Sequence, residues 1–139
     1  MDEVRKASRG PVAVLYVAMN WTYAFFALAV LALFLLIKRS GQISSKAASE
    51  QLKKGAMVID VRTAAEFSAR HLPRAINIPL SEVEELTPRR VKDKDKVLLL
   101  HCQSGARSGA AKRVLESMGY TKVFNMGSYE RASRIVNGR

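Results

Sequence analysis

Cysteine occurs once in the 139 residues, histidine twice and tryptophan once. A single cysteine rules out an intrachain disulfide, and Cys102 with His71 and His101 is too small a set for a Cys/His zinc cluster. Acidic residues are scarce as well: 12 Asp and Glu stand against 23 Lys and Arg, a formal charge of +11. No internal repeat or low-complexity tract occurs. The 48% of hydrophobic residues argues against disorder throughout, and the length suits one ordinary domain with a short appendage.

Charge is missing altogether from residues 10–37, a run of 28, and residues 24–37 contain only Ala, Phe, Leu, Val and Ile. A bilayer core takes about 20 apolar residues as helix. The sequence therefore predicts a transmembrane helix over residues 11–37, its apolar core at 18–37, with Asn20, Trp21, Thr22 and Tyr23 near an interface. The run exceeds the roughly 7 to 15 residues of a signal-peptide core and ends in Lys38-Arg39 instead of a cleavage site. A helix packed on a soluble domain would show a polar stripe, which this run lacks. Arg5, Lys6 and Arg9 precede it, whereas Lys38, Arg39, Lys46, Lys53 and Lys54 follow. That bias places the rest of the chain in the cytoplasm. The expected division is an N-terminal flank at 1–10, the membrane helix at 11–37, a linker at 38–45 and a soluble domain at 46–139.

Residues 41–139 carry 18 Lys and Arg against 10 Asp and Glu, so most of the basic excess belongs to the soluble part. Nucleic-acid binding would want these cations clustered with stacking aromatics. The densest stretch, residues 89–96, interleaves acids and has no aromatic, and it reads as a solvated loop with no nucleic-acid partner. Periodicity then alternates. Ser45 to Lys54 reads as a helix stopped by Gly55, and Met57-Val58-Ile59 as a short buried strand ending at Asp60. Thr63 with Glu66, and Ser81 with Glu84, have capping-box spacing and predict two helix starts. Val97 to Leu100 is a continuous apolar run, as a parallel strand covered on both faces requires. Ser108 to Met118 places Ala111, Val114, Leu115 and Met118 on one helical face before Gly119. Val123-Phe124-Asn125 reads as a strand and Tyr129 to Val136 as a last helix. The fold class is α/β, a mainly parallel sheet flanked by helices on both faces.

Ligands of open parallel sheets bind at the carboxyl ends of strands. There stands Cys102, followed by Gln103, Ser104, Gly105, Ala106 and Arg107, with Ser108 opening a helix. A loop of small residues can turn its N–H groups toward the sulfur. Those donors, the positive end of the helix and Arg107 favour the thiolate. Cys102 is the candidate nucleophile, and Gln103 to Ser108 the candidate substrate cradle.

The run from Cys102 to Ser108 resembles the active-site loop of single-domain rhodaneses, a sulfurtransferase family. Asp60-Val61-Arg62, Glu66-Phe67, His71-Leu72-Pro73, Ala75 and Asn77-Ile78-Pro79 resemble that family's amino-terminal motif, and Asn125-Met126-Gly127 its last strand end. Together these cover nearly all of residues 42–136. Arg74 stands where many relatives have Gly, and Gly127-Ser128-Tyr129 replaces a Gly-Gly turn and a Trp. Asp60, Arg62 and Glu66 are expected to be structural hydrogen-bonding residues, and His71 and His101 are expected to be structural as well.

The resemblance implies transfer of a sulfane sulfur. Cys102 takes sulfur from a small anionic donor such as thiosulfate, holds it as a persulfide, and yields it to a thiol or cyanide-like acceptor, a protein thiol included. Neither a metal nor an organic cofactor is required. Phosphatase and arsenate reductase relatives of the fold place five residues between Cys and Arg, whereas this chain has four, a cradle too tight for a tetrahedral phosphate. A membrane-tethered adaptor that only binds a partner would need neither Cys102 nor Arg107.

Overall fold

The computed structural model describes residues 21–34 and 41–138, and the chain divides at residue 40 into two units. In the first, residues 21–34 form helix α1. All of its residues are exposed, and Trp21, Phe25, Phe26, Leu28 and Phe34 each show more than half of their surface. The expected membrane helix is described only over this stretch. Its remaining residues, 11–20 and 35–37, lie outside the described residues, as do the flank 1–10 and residues 38–40. Among the described residues no helix is long and apolar enough to cross a membrane.

The second unit is built from α2 (Ser45–Lys53), β1 (Met57–Asp60), α3 (Ala64–Ala69), β2 (Ile76–Asn77), a 3-10 turn (Leu80–Glu82), α4 (Val83–Arg90), β3 (Leu98–Cys102), α5 (Ala106–Ser117), β4 (Val123–Ser128) and α6 (Tyr129–Val136). The four strands pair in the order β2-β1-β3-β4, all parallel. Strand β3 is central and buried at every residue. Successive strand side chains alternate between faces. Leu98, Leu100 and Cys102 accordingly join one core with Val83 of α4 and Ala111 and Leu115 of α5. Leu99 joins the other, with Ala48 of α2 and Ala132 and Ile135 of α6. The helices thus cover both faces of a parallel sheet, the α/β architecture expected.

Local chemistry sets most boundaries. Helix α2 is capped by Ser44, whose hydroxyl accepts from Ala47 N–H, and the chain leaves it at Gly55 with φ +86. Helix α3 starts with both halves of the Thr63–Glu66 capping box formed. The second expected box does not form: Ser81 lies in the 3-10 turn, and α4 begins at Val83 without a side-chain cap. The preceding backbone is still tied to the end of β1 and the residue after it, Ile78 N–H to Asp60 O and Leu80 N–H to Val61 O, which delays the helix. Strand β3 runs on through His101 and Cys102, beyond its apolar run. Strand β4 extends to Ser128 past a register shift opposite Leu100 and His101. The short β2 has no apolar run that would announce it.

Residues upstream of α2 are held to the domain. Gln42 bridges Asn125, Ile43 N–H donates to Asn125 O at 3.0 Å, and Arg131 Nη2 donates to Ile43 O at 2.6 Å. The carboxyl half of the expected linker is therefore a short addition beside β4.

Candidate active site

Cys102 is the last residue of β3, and its side chain points to the α5 side of the sheet. The turn from this strand into α5 is closed by Gly105, which sits at the N-cap with φ +94. A Cβ there would lie 3.1 Å from Gly127 Cα, so both the backbone conformation and the space require glycine. This tight turn aims Gly105 N–H at the sulfur, 3.0 Å from Sγ, while the Ser108 hydroxyl lies 3.6 Å from it. Burial pushes the Cys102 pKa up. The N–H and hydroxyl of Ser108 and the N–H groups of Gly105 and Ser104 outweigh it, holding the thiol below its ordinary value. Cys102, Gly105 and Ser108 are buried, Arg107 is half-buried, and Gln103, Ser104 and Ala106 are exposed. The sulfur thus lies at the floor of a loop whose outer side chains face solvent.

Arg107 is engaged by Glu66. Its Nη1 donates to Oε2 at 2.7 Å and its Nη2 to Oε1 at 2.8 Å, a two-pronged pairing that joins α3 to the loop. Glu66 is held down to a pKa of about 2, first by Arg107 and then by the Thr63 N–H. The guanidinium is raised by Glu66 and also responds to the charge on Cys102, so it shares the field of the sulfur. Beside it lies a recess of about 330 Å³ lined by Val61, Thr63, Pro79, Leu80, Ser81 and Arg107.

The remaining motif residues build the platform. Asp60 and Arg62 form a fully buried ion pair, Arg62 Nη2 to Asp60 Oδ2 at 2.6 Å, and the same nitrogen donates to Arg70 O at 2.7 Å. Asn77 Nδ2 reaches Asp60 O and Arg62 O, each at 2.9 Å. These bonds fix the segment that carries α3 and hence Glu66. His71 is exposed, stacked on Phe67 and bonded through Nδ1 to Phe67 O at 3.0 Å. His101 points away from Cys102, to the α6 side. Its Nε2 lies 3.7 Å from Asp60 Oδ2, its ring meets Tyr129 edge-on, and burial lowers its pKa. Among the described residues no cluster of His, Cys, Asp and Glu could hold a metal ion.

Two residues at the site were not among the candidate site residues, although Asn125 stands in the last strand's motif. Asn125 is buried in β4 and ties the loop down: its Nδ2 donates to Gly105 O at 3.1 Å, and its Oδ1 accepts from Ser108 Oγ at 2.7 Å and Gly127 N–H at 2.8 Å. Gln42 lies against the glycine pair, with Oε1 2.8 Å from where a Cβ on Gly127 would stand. Asn125 ends a short apolar run and carried a faint signal in the motif around it. Gln42 carried none, because its contact depends on the fold.

Comparison with known proteins agrees with this geometry. The chain is 45% identical over 69 residues to the thiosulfate sulfurtransferase PspE of Escherichia coli, covering 50% of this chain and 66% of that one. It is 33% identical over 76 residues to a thiosulfate:glutathione sulfurtransferase of Saccharomyces cerevisiae, covering 47% of this chain and 55% of the relative. The match thus spans less than two thirds of each of these curated relatives. A rhodanese structure from E. coli, solved with anions, superposes with a TM-score of 0.54 at 40% identity, covering 55% of this chain and 91% of that one. Residues 44–133 match the rhodanese-like domain, and the chain belongs to that family.

Proposed function

We propose that this protein moves a sulfane sulfur from a small anionic donor to a thiophilic acceptor through a persulfide on Cys102. The observation that carries the reading is the Gly105 N–H donated to Cys102 Sγ at 3.0 Å, on a loop whose other donors also lower the thiol pKa. In the first step the Cys102 thiolate attacks the outer sulfur of thiosulfate. A new S–S bond forms, the old one breaks, and sulfite leaves with the electron pair. In the second, the acceptor attacks the terminal sulfur and the electron pair returns to Cys102. Each step exchanges one anion for another, so the loop needs hydrogen-bond donors and no general base.

Arg107 and the positive charge of residues 41–139 favour anionic donors. Thiosulfate is the donor named for both curated relatives, and one of them is named for a thiol acceptor, glutathione. The recess bounded by Val61, Pro79, Leu80 and Arg107 offers room for the body of such a thiol.

The reading extends to a membrane setting. The uncharged run of residues 10–37 and the exposed apolar side chains of α1 favour an anchor over residues 11–37, and the lysines and arginines after it favour a cytoplasmic domain. The full chain should then stay with membranes after an alkaline wash, and removal of residues 1–40 should release it. Recovery of the full chain in the wash would overturn the anchor.

The reaction is tested by intact mass spectrometry of the full-length protein. Thiosulfate should add the mass of one sulfur atom, and cyanide should remove it as thiocyanate. Cys102→Ser should do neither. Transfer by Cys102→Ser would sink the persulfide route. If thiosulfate, persulfides and mercaptopyruvate all failed to load the native chain, an adaptor function would replace it.

A further inference from the structure

Ser108 has more acceptors than hydrogens. Its buried hydroxyl stands 2.7 Å from Asn125 Oδ1, 3.2 Å from Gly105 O and 3.6 Å from Cys102 Sγ, yet it owns one proton. The orientation of the Asn125 amide is fixed by its other partners. Gly127 N–H requires an oxygen at one end and Gly105 O requires an NH2 at the other, so an acceptor faces Ser108. While Cys102 is a neutral thiol, the short bond to Asn125 Oδ1 is the best use of the hydroxyl proton.

Ionisation of Cys102 reverses that order. A thiolate only accepts, and hydrogen bonds to a charged acceptor are about twice as strong as those between neutral groups. The proton can turn to the sulfur at little cost elsewhere, because Asn125 Oδ1 keeps the Gly127 N–H at 2.8 Å and is not left unsatisfied.

We propose that Ser108 and Asn125 form a two-position hydroxyl switch: Asn125 Oδ1 holds the Ser108 proton while Cys102 is a thiol, and Ser108 gives it to the sulfur when Cys102 is a thiolate. Asn125 is then a positioning residue, acting on the nucleophile through Ser108. The switch serves both halves of sulfur transfer. In the persulfide the negative charge moves to the outer sulfur, Sγ weakens as an acceptor, and the hydroxyl returns to Asn125. Discharge of the persulfide restores the thiolate and draws the hydroxyl back. The inference rests on Cys102 being the nucleophile and on no particular donor.

The charged and titratable groups around the sulfur are Arg107, paired with Glu66 of α3, and His101 on the opposite side of β3 beside the Asp60–Arg62 pair. None of these is altered in the test. The rate of Cys102 alkylation by iodoacetamide is followed against pH on the full-length protein, with no sulfur donor present, so failure here is separable from failure of the transfer reaction. Ser108→Ala should raise the midpoint by about one pH unit, a tenfold slower alkylation below it, and Ser108→Thr should restore it. Independently, the Asn125 side-chain amide and the Gly127 N–H resonances should shift at the Cys102 midpoint in the native chain, and the shifts should shrink in Ser108→Ala. An unmoved midpoint in Ser108→Ala, or Asn125 resonances indifferent to Cys102 ionisation, would overturn the switch.

Discussion

Arg107 and Glu66 meet through two parallel hydrogen bonds of 2.7 and 2.8 Å, and the same Glu66 carboxylate closes the capping box at Thr63. One side chain therefore both starts α3 and steadies the loop that follows Cys102. Its negative charge also offsets the Arg107 guanidinium, which responds to the charge on Cys102.

Glu66→Ala should lose the cap and the pairing together. A lost cap costs about 1 kcal/mol and a partly exposed ion pair up to about 1 kcal/mol. Chemical denaturation should show the sum, and Glu66→Gln, which keeps an acceptor for the cap, should lose less. Equal losses for the two variants would mean that the charge alone matters. Arg107→Ala should slow sulfur transfer by about 10²-fold while leaving a trace, as one of several electrostatic contributors is removed.

The Glu66 carboxyl has a pKa of about 2 in the fold against 4.5 when unperturbed. A lowered acid contributes stability that is full above pH 4.5 and is lost as pH falls toward about 2. Denaturant midpoints measured across that window should drop, and Glu66→Gln should flatten the drop. A native and a variant curve of the same shape would contradict the assignment.

His101 works through the neutral form. Burial holds its pKa below the ordinary 6.5, so the unfolded chain takes up a proton that the folded chain resists. Stability should fall as pH drops below about 6.5. His101→Asn should remove this mild-acid limb while leaving the Glu66 limb in place, which denaturation at a series of pH values can separate.

Gly127 has φ +90, and a Cβ on it would stand 2.8 Å from Gln42 Oε1. Gly127→Ala should cost about 1–2 kcal/mol from the left-handed backbone alone, plus the displacement of Gln42. Adding Gln42→Ala should recover only the second part. Full recovery in the double variant, read by thermal unfolding, would show that the backbone conformation is not strained by alanine.

Much of this arrangement was legible in the sequence because it is local. The Thr63–Glu66 box, the stop at Gly55, the buried run before Cys102 and the helix from Tyr129 to Val136 all depend on neighbours a few residues apart. The Ser81 box failed because residues 78–80 were still bonded to the end of β1 and the residue after it, a contact that spacing does not encode. The candidate active-site loop was visible as a run of small residues after an apolar strand. Its anchors were not: Asn125 reaches Ser108 across 17 positions, and Arg107 reaches Glu66 across 41. The sequence named Glu66 and Arg107 separately, and only the fold made them partners.

The burial of Cys102 beneath its own loop bears on what becomes of a sulfur once loaded. With no second cysteine in the chain, a persulfide has no internal thiol to resolve it into a disulfide, and a sulfur at the loop floor is shielded from the cysteine of another copy. Under the proposed reaction the loaded state would wait. Its lifetime would be set by which outside nucleophile is slender enough to reach the terminal sulfur past the loop, so that access to the buried Cys102, more than the reactivity of the sulfur, would choose the recipient.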